Sequence, residues 1–130
     1  RRSRQKNEEE QPDNALLYNL SEAALLDNLL RRYSQDEPYT FTGGILTSVN
    51  PCKATKLYSA EMMTPYAGRL LGGNRPPHLY ASAEEAYRLL LKTRSHQGMV
   101  VSGVSGAGKT EANKIIMQYL CWRASHSAGQ

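Results

Sequence analysis

The residues most able to do chemistry lie between Gly103 and Thr110, in the run GVSGAGKT. This run fits the phosphate-loop pattern G-x-x-x-x-G-K-[ST]. Its glycines let the backbone curl so that successive N–H groups point into one concavity, which suits a phosphate group. Lys109 would supply a mobile positive charge for the β- and γ-phosphates, and the Thr110 hydroxyl would ligate Mg²⁺. The motif therefore predicts binding of a nucleoside triphosphate with magnesium, without saying which class of NTPase carries it.

Two elements must position this loop, a strand before it and a helix after it. The apolar run Met99–Ser102 predicts a short strand, and apolar residues at helical spacing predict a helix that continues to Leu120. The start of that helix would place unsatisfied N–H groups and a positive dipole end beside the phosphate. We expect Glu111, in the first turn, to stabilise the helix N-terminus rather than to replace a second magnesium ligand.

Upstream of the loop, local patterns predict helices and one β-hairpin. In chain order, these are a helix capped by Ser21 and reaching Tyr33, a hairpin over Tyr39–Val49 that turns at Gly43-Gly44, an interrupted short helix over Ser59–Leu71, and a helix opened by Ser82. The leucines of the first helix are expected to face a core. In the helix opened by Ser82, Glu85 would complete a capping box. The apolar face of that helix would consist of Ala83, Ala86, Tyr87, Leu90 and Leu91.

The bulk composition predicts one small globular domain. The chain has 130 residues, 40% of them hydrophobic, and a net charge of +4. Four basic residues in the first six positions are followed by Glu8–Glu10, which argues against a nucleic-acid-binding arm. Residues 1–14 are therefore predicted to be a disordered lead-in. Because the first residue is Arg1, we expect the sequence to be a piece of a longer chain.

The cysteines and the hydropathy pattern predict an intracellular protein. Cys52 and Cys121 lie far apart without metal-site spacing, so both are interpreted as reduced thiols. No apolar run has the length of a membrane span, and no signal peptide is found. The three histidines are isolated from one another and from the cysteines, so metal ligation by them is not expected.

Four separated segments, in order, resemble the early part of a myosin motor domain. They are SEAALLDNLLRRY (21–33), YTFTGGILTSVNP (39–51), PPHLYASAEEAYRLL (76–90) and GVSGAGKTEANKIIMQYL (103–120). The resemblance runs from about Leu16 to Ser125. It implies an α/β fold, specifically a partial P-loop NTPase fold of the myosin motor type, with an incomplete mixed sheet flanked by helices. Residues 15–130 would be the N-terminal part of that motor domain, ending after the helix of the phosphate loop.

The resemblance also implies a base-binding segment. In the pattern N-P-x-K-x-x-x-x-Y, Asn50, Pro51, Lys53 and Tyr58 fall where the family contacts the adenine. A tyrosine ring and a carboxamide suit such a contact chemically. The expected nucleotide-binding residues are then Asn50, Pro51, Lys53, Tyr58, Gly103, Val104, Ser105, Gly106, Ala107, Gly108, Lys109, Thr110 and Glu111, with Thr110 also on the metal. Val104 departs from the glutamate usual in the family, although the backbone cradle does not need that side chain.

The implied function is the ATP-binding part of an actin-based cytoskeletal motor, with ATP and Mg²⁺ as cofactors. Actin filaments and light chains would bind other parts of the parent protein, in the cytoplasm on the cytoskeleton. In the family, the two switch segments and the actin-binding region lie beyond Gln130, so we expect no catalytic residue and no ATP hydrolysis here. Two alternatives stay open, namely a small-molecule kinase or GTPase with an N-terminal extension, and a truncated, non-enzymatic nucleotide-binding module.

Overall fold

The computed structural model describes residues 9–71 and 74–127, which belong to two compact units. The N-terminal unit, up to Val49, contains a 3-10 turn (Asn14–Leu16), helix α1 (Glu22–Ser34) and strands β1 (Tyr39–Thr42) and β2 (Ile45–Ser48). The C-terminal unit, from Asn50, contains helix α2 (Ala60–Met63), a 3-10 turn (Thr64–Tyr66), helix α3 (Leu79–Thr93) and helix α4 (Lys109–Ser127). Helices and strands are thus both present, as an α/β chain requires.

Helix α1 begins as predicted, but its fully buried side chains are polar. The Ser21 hydroxyl accepts a hydrogen bond from the Ala24 N–H at 3.3 Å, which caps the helix. The buried side chains of α1 are Asn28 and Arg32, whereas Leu26 and Leu30 are 59% and 66% exposed. The prediction that the leucines face a core is therefore wrong for Leu30, whereas Leu25 and Leu29 are half-buried. The fully buried side chains of α1 form a polar stripe.

The buried polar side chains of α1 hold the segment that precedes it. Asn28 exchanges two hydrogen bonds with the Gln11 backbone, at 2.8 and 2.9 Å. Arg32, 2% exposed, forms ion pairs with Glu10 at 2.9 Å and Glu37 at 2.7 Å. A buried guanidinium needs such partners. The predicted disorder is therefore wrong for residues 9–14, and residues 1–8 of that prediction lie outside the described residues.

The predicted hairpin is confirmed, whereas the predicted strand before the phosphate loop is wrong. Strands β1 and β2 pair antiparallel with Thr42 opposite Ile45, around a turn in which Gly43 has a φ of +60°. Residues Met99–Ser102 form no strand, and Val100 is 93% exposed. A strand needs a hydrogen-bonded neighbour, and no other described segment supplies one. The sheet in the described ranges is therefore two-stranded and antiparallel, not mixed.

Helix α3 begins four residues earlier than predicted. Its N-cap is His78, whose Nδ1 accepts a hydrogen bond from the Tyr80 N–H at 3.0 Å. Ser82 lies inside the helix, and Glu85 pairs with Arg88 at 3.0 Å instead of closing a capping box. The prediction was wrong because a histidine nitrogen can replace the usual hydroxyl or carboxylate cap when burial aims it at the first turn.

The core of the C-terminal unit lies where α3 and α4 pack together. Its buried apolar side chains are Met63, Tyr66, Leu79, Tyr80, Ala83, Ile115, Ile116 and Tyr119. Ala83 is buried as predicted, but Leu90 and Leu91 are largely exposed because the packed face belongs to the first half of α3. The short helix α2 ends at Met63, and Pro65 lies in the 3-10 turn that follows.

Across the described ranges, no helix is long and apolar enough to cross a membrane.

Candidate nucleotide-binding site

The phosphate-loop motif forms a tight turn that leads directly into α4. Gly106 and Gly108 have φ values of +80° and +99°, which only glycine adopts without strain. At Gly103 the constraint is space, since a Cβ there would lie 3.2 Å from the Cβ of Ala107. The positive φ values therefore favour glycine at Gly106 and Gly108, and at Gly103 an added Cβ would make a tight contact. Helix α4 begins at Lys109, as the motif predicted.

Lys109 fastens the start of the loop from one side. Its Nζ donates hydrogen bonds to the carbonyl oxygen of Gly103 and, at 3.0 Å, to that of Val104. Across a trans peptide the C=O and the next N–H point in opposite directions. The N–H groups of Val104 and Ser105 therefore point away from the ammonium group. The lysine fixes the direction of two backbone donors at the loop.

Asn50 lies against the same loop, although it is 56 positions away in the sequence. Its Nδ2 donates a hydrogen bond to the carbonyl oxygen of Gly106 at 3.1 Å. Its Oδ1 accepts one from the Cys52 N–H at 2.9 Å, which forms an Asx turn across Pro51. The structure thus brings the first residue of the predicted base-binding segment into contact with the predicted phosphate loop.

Tyr58, at the other end of that segment, lies against a row of buried rings. Its ring centroid is 5.6 Å from that of His78, and His78 lies 4.2 Å from Tyr80. Tyr80 stacks on Tyr119 of α4 at 5.0 Å. Lys53 is exposed between Asn50 and Tyr58. The aromatic row therefore connects the predicted base-binding segment, through α3, to the helix that follows the phosphate-loop motif.

His78 is held neutral within this row. Because Nδ1 accepts from the Tyr80 N–H, the proton must be on Nε2, which lies 3.0 Å from the Leu57 carbonyl oxygen and donates to it. Burial of the ring lowers the pKa of His78 to about 4. This histidine is therefore packed in the core of the unit, with both ring nitrogens hydrogen-bonded within the chain.

Glu84 accepts hydrogen bonds from residues at distant positions in the chain, and the sequence patterns did not identify this role. Its Oε1 accepts a hydrogen bond from the Gly68 N–H at 2.7 Å. Its Oε2 accepts from the Tyr119 hydroxyl at 2.8 Å and from Arg123 Nε at 3.0 Å. Burial, with the Glu84 carboxylate, raises the pKa of Tyr119. The available signal was its position one turn after Tyr80, which places the two side chains on the same helix face.

The start of α4 offers one oxygen ligand of the type that Mg²⁺ prefers. Thr110 is exposed in the first turn, and its hydroxyl is a hard oxygen donor. Glu111 is exposed beside it and lies 3.6 Å from Lys114. No group of three or more metal-binding side chains occurs within the part of the chain that the structure describes. Among these residues, the Thr110 hydroxyl thus has the chemistry of a single Mg²⁺ ligand. Cys52 and Cys121 are both free thiols, as predicted.

Comparison with models of known protein families identifies the family of this chain. The model for the myosin head (motor domain) matches residues 11–130, nearly the whole chain. The chain belongs to the myosin head family, and the resemblance inferred from the sequence is confirmed.

Individual relatives agree with this assignment. The chain is 44% identical over 119 residues to unconventional myosin-VI of Homo sapiens, covering 91% of this chain and 9% of that protein. It is 46% identical over 119 residues to myosin heavy chain 95F of Drosophila melanogaster, with 90% and 9% covered. It is 40% identical over 117 residues to myosin IE heavy chain of Dictyostelium discoideum, with 90% and 12% covered. The chain thus spans about a tenth of the length of these relatives.

Proposed function

We propose that these 130 residues are the ATP-binding part of an actin-based motor head. The observation that carries the proposal is the hydrogen bond from Asn50 to Gly106, at 3.1 Å, in a chain of the myosin head family. One nucleotide has to span the base-binding segment and the phosphate loop. The contact between these two segments supports a single site that serves both ends of the ligand.

Different residues of the chain would bind different parts of the ATP molecule. Backbone N–H groups of Gly103–Gly108, apart from that of Ala107, which closes the turn, and those at the start of α4 would bind the β- and γ-phosphates. Lys109 would neutralise the phosphate charge. Pro51, Lys53 and Tyr58 would line the base, and Tyr58 rests on the buried rings that would keep its position. Thr110 would ligate Mg²⁺, which neutralises phosphate charge when it is bound. Glu111 would lie at the edge of this site.

The wider motor activity would need residues outside this sequence. We propose that the 130 residues bind ATP without hydrolysing it, because phosphoryl transfer also needs a second magnesium-binding carboxylate and a residue that positions water. Actin filaments and light chains would be partners of the whole protein, in the cytoplasm on the cytoskeleton. Family membership favours this function over a small-molecule kinase or GTPase. A non-enzymatic nucleotide-binding module remains the alternative.

Titration calorimetry with MgATP tests the role of the phosphate loop. We expect Lys109→Ala to weaken binding by about tenfold or more, because it removes charge-assisted hydrogen bonds to phosphate oxygens. The matched control is Lys114→Ala, which removes the same charge from an exposed position on the same helix. Equal heats from wild type and Lys109→Ala would contradict the proposal. Steady release of phosphate by the 130-residue chain would contradict the proposed lack of hydrolysis.

A further inference from the structure

We infer that Asn50 is a positioning residue for the phosphate loop rather than a contact of the base. The inference rests on the proposed function, since it concerns a residue of the same site. It starts from the two polar atoms of the Asn50 side chain, both of which are engaged within the chain. Oδ1 accepts from the Cys52 N–H at 2.9 Å, and Nδ2 donates to the Gly106 carbonyl at 3.1 Å.

The bond from Asn50 reaches the peptide that closes the loop. The Gly106 carbonyl and the Ala107 N–H belong to one planar peptide group and point in opposite directions. The Ala107 N–H donates to the Val104 carbonyl at 3.1 Å, which closes a four-residue turn. This peptide is therefore fastened on both sides, by Asn50 at the oxygen and by Val104 at the nitrogen. Asn50 thereby holds Gly106 in its unusual backbone conformation, with a φ of +80°.

The local sequence fixes the direction of the Asn50 amide. Pro51 restricts the residue before it to an extended backbone. The Asx turn to Cys52 then fixes the plane of the carboxamide, so that Nδ2 faces Gly106. Cys52 has a φ of +52°, an uncommon conformation for a residue with a side chain, which this turn supports. Rotating the carboxamide away from Gly106 would break both hydrogen bonds.

The two roles of Asn50 predict different ligand dependence. A base contact contributes to binding of ATP but not of inorganic tripolyphosphate, which has no base. A residue that orders the phosphate loop contributes equally to both ligands. The decisive variant is Asn50→Ser, because a serine hydroxyl can still accept from the Cys52 N–H but is too short to reach the Gly106 carbonyl.

Calorimetric titrations of magnesium tripolyphosphate and MgATP separate these roles. We expect Asn50→Ser to weaken both ligands by a similar factor, about fivefold, the usual effect of one neutral hydrogen bond. The control Tyr58→Phe, at the base end, should leave tripolyphosphate affinity unchanged. If Asn50→Ser lost affinity for ATP but not for tripolyphosphate, the inference would be overturned and Asn50 would be a contact of the base.

A second measurement needs no ligand. In NMR hydrogen exchange, the Ala107 amide should exchange about fivefold faster in Asn50→Ser than in wild type, because its peptide is then held on one side only. Asn50→Asp keeps the side-chain shape but aims an oxygen at the Gly106 carbonyl. In this variant the Ala107 amide should exchange at least as fast as in Asn50→Ser. Unchanged exchange in both variants would overturn the inference. If wild type binds neither ligand, the proposed function fails, while exchange at Ala107 still decides the role of Asn50.

Discussion

His78 makes two hydrogen bonds that only a neutral imidazole can make together. Nδ1 accepts from the Tyr80 N–H and caps α3, while the Nε2 proton is donated to the Leu57 carbonyl. Protonation of Nδ1 would remove the cap acceptor and leave a charge among the rings of Tyr58, Tyr66 and Tyr80. At the scale of single residues, the stability of the C-terminal unit therefore depends on Nδ1 of His78 being unprotonated.

Stability of the C-terminal unit should fall in acid. The pKa of folded His78 is about 4, below the usual 6.5 of an unfolded histidine, so the unfolded state binds more protons between these values. The contribution of His78 is complete above about pH 6.5 and decreases as the pH falls toward 4. The loss should be at most about 3 kcal/mol, measured by urea unfolding across this range.

The matched variant for this test is His78→Asn. Asparagine can cap a helix but does not titrate, so the unfolding free energy of this variant should lose the part of the pH dependence due to His78. A pH dependence identical to wild type would show that other groups cause it.

At the scale of elements, a buried carboxylate joins α3 to α4. Glu84 of α3 is fully buried and accepts hydrogen bonds from Tyr119 and Arg123 of α4, and from the backbone at Gly68. Because α4 begins at the phosphate loop, this junction fixes the helix that carries Lys109. The aromatic stacking of Tyr80 on Tyr119 lies at the same junction.

Replacing Glu84 by Gln should destabilise the unit strongly. The substitution keeps the shape of the side chain but leaves Arg123 without its buried counter-charge and weakens the bond from Tyr119. We expect a loss of about 2–4 kcal/mol in the free energy of unfolding by urea. The control Glu111→Gln removes the same charge from an exposed pair with Lys114 and should cost under about 1 kcal/mol. Equal losses would mean that the Glu84 network adds little beyond a surface pair.

At the scale of the whole molecule, the C-terminal unit leaves large apolar side chains in contact with water. Val100, in the segment without regular secondary structure before the phosphate loop, is 93% exposed, and Met117 of α4 is 65% exposed. Leu89, Leu90 and Leu91, at the end of α3, are exposed as well. Exposed apolar surface of this kind favours association in water.

The 130-residue chain should therefore self-associate as its concentration rises. We expect the double variant Val100→Ser/Met117→Ser to associate less than wild type in sedimentation velocity at tens of micromolar, because it removes apolar surface from both positions. Gln118→Ser, at an exposed polar position on the same helix, is the control and should behave as wild type. A wild-type chain that stays monomeric at these concentrations would contradict the prediction.

The elements that the sequence predicted correctly depend on neighbouring residues. The cap at Ser21, the Gly43-Gly44 hairpin and the start of α4 at Lys109 all follow from backbone preferences within a few residues. The errors concern elements whose state depends on distant partners. Met99–Ser102 has strand composition without a described neighbour, and Leu30 of α1 has core composition but is exposed.

The amino-acid sequence by itself determined the family, the phosphate-loop motif and the turns that glycine and proline require. These follow from residue type and spacing, because torsional limits and helix caps act over a few bonds. Only the tertiary structure decided that Asn50 meets Gly106 and that Glu84 joins two helices and a turn. Those contacts connect positions between 16 and 56 residues apart, and their geometry depends on how whole segments pack.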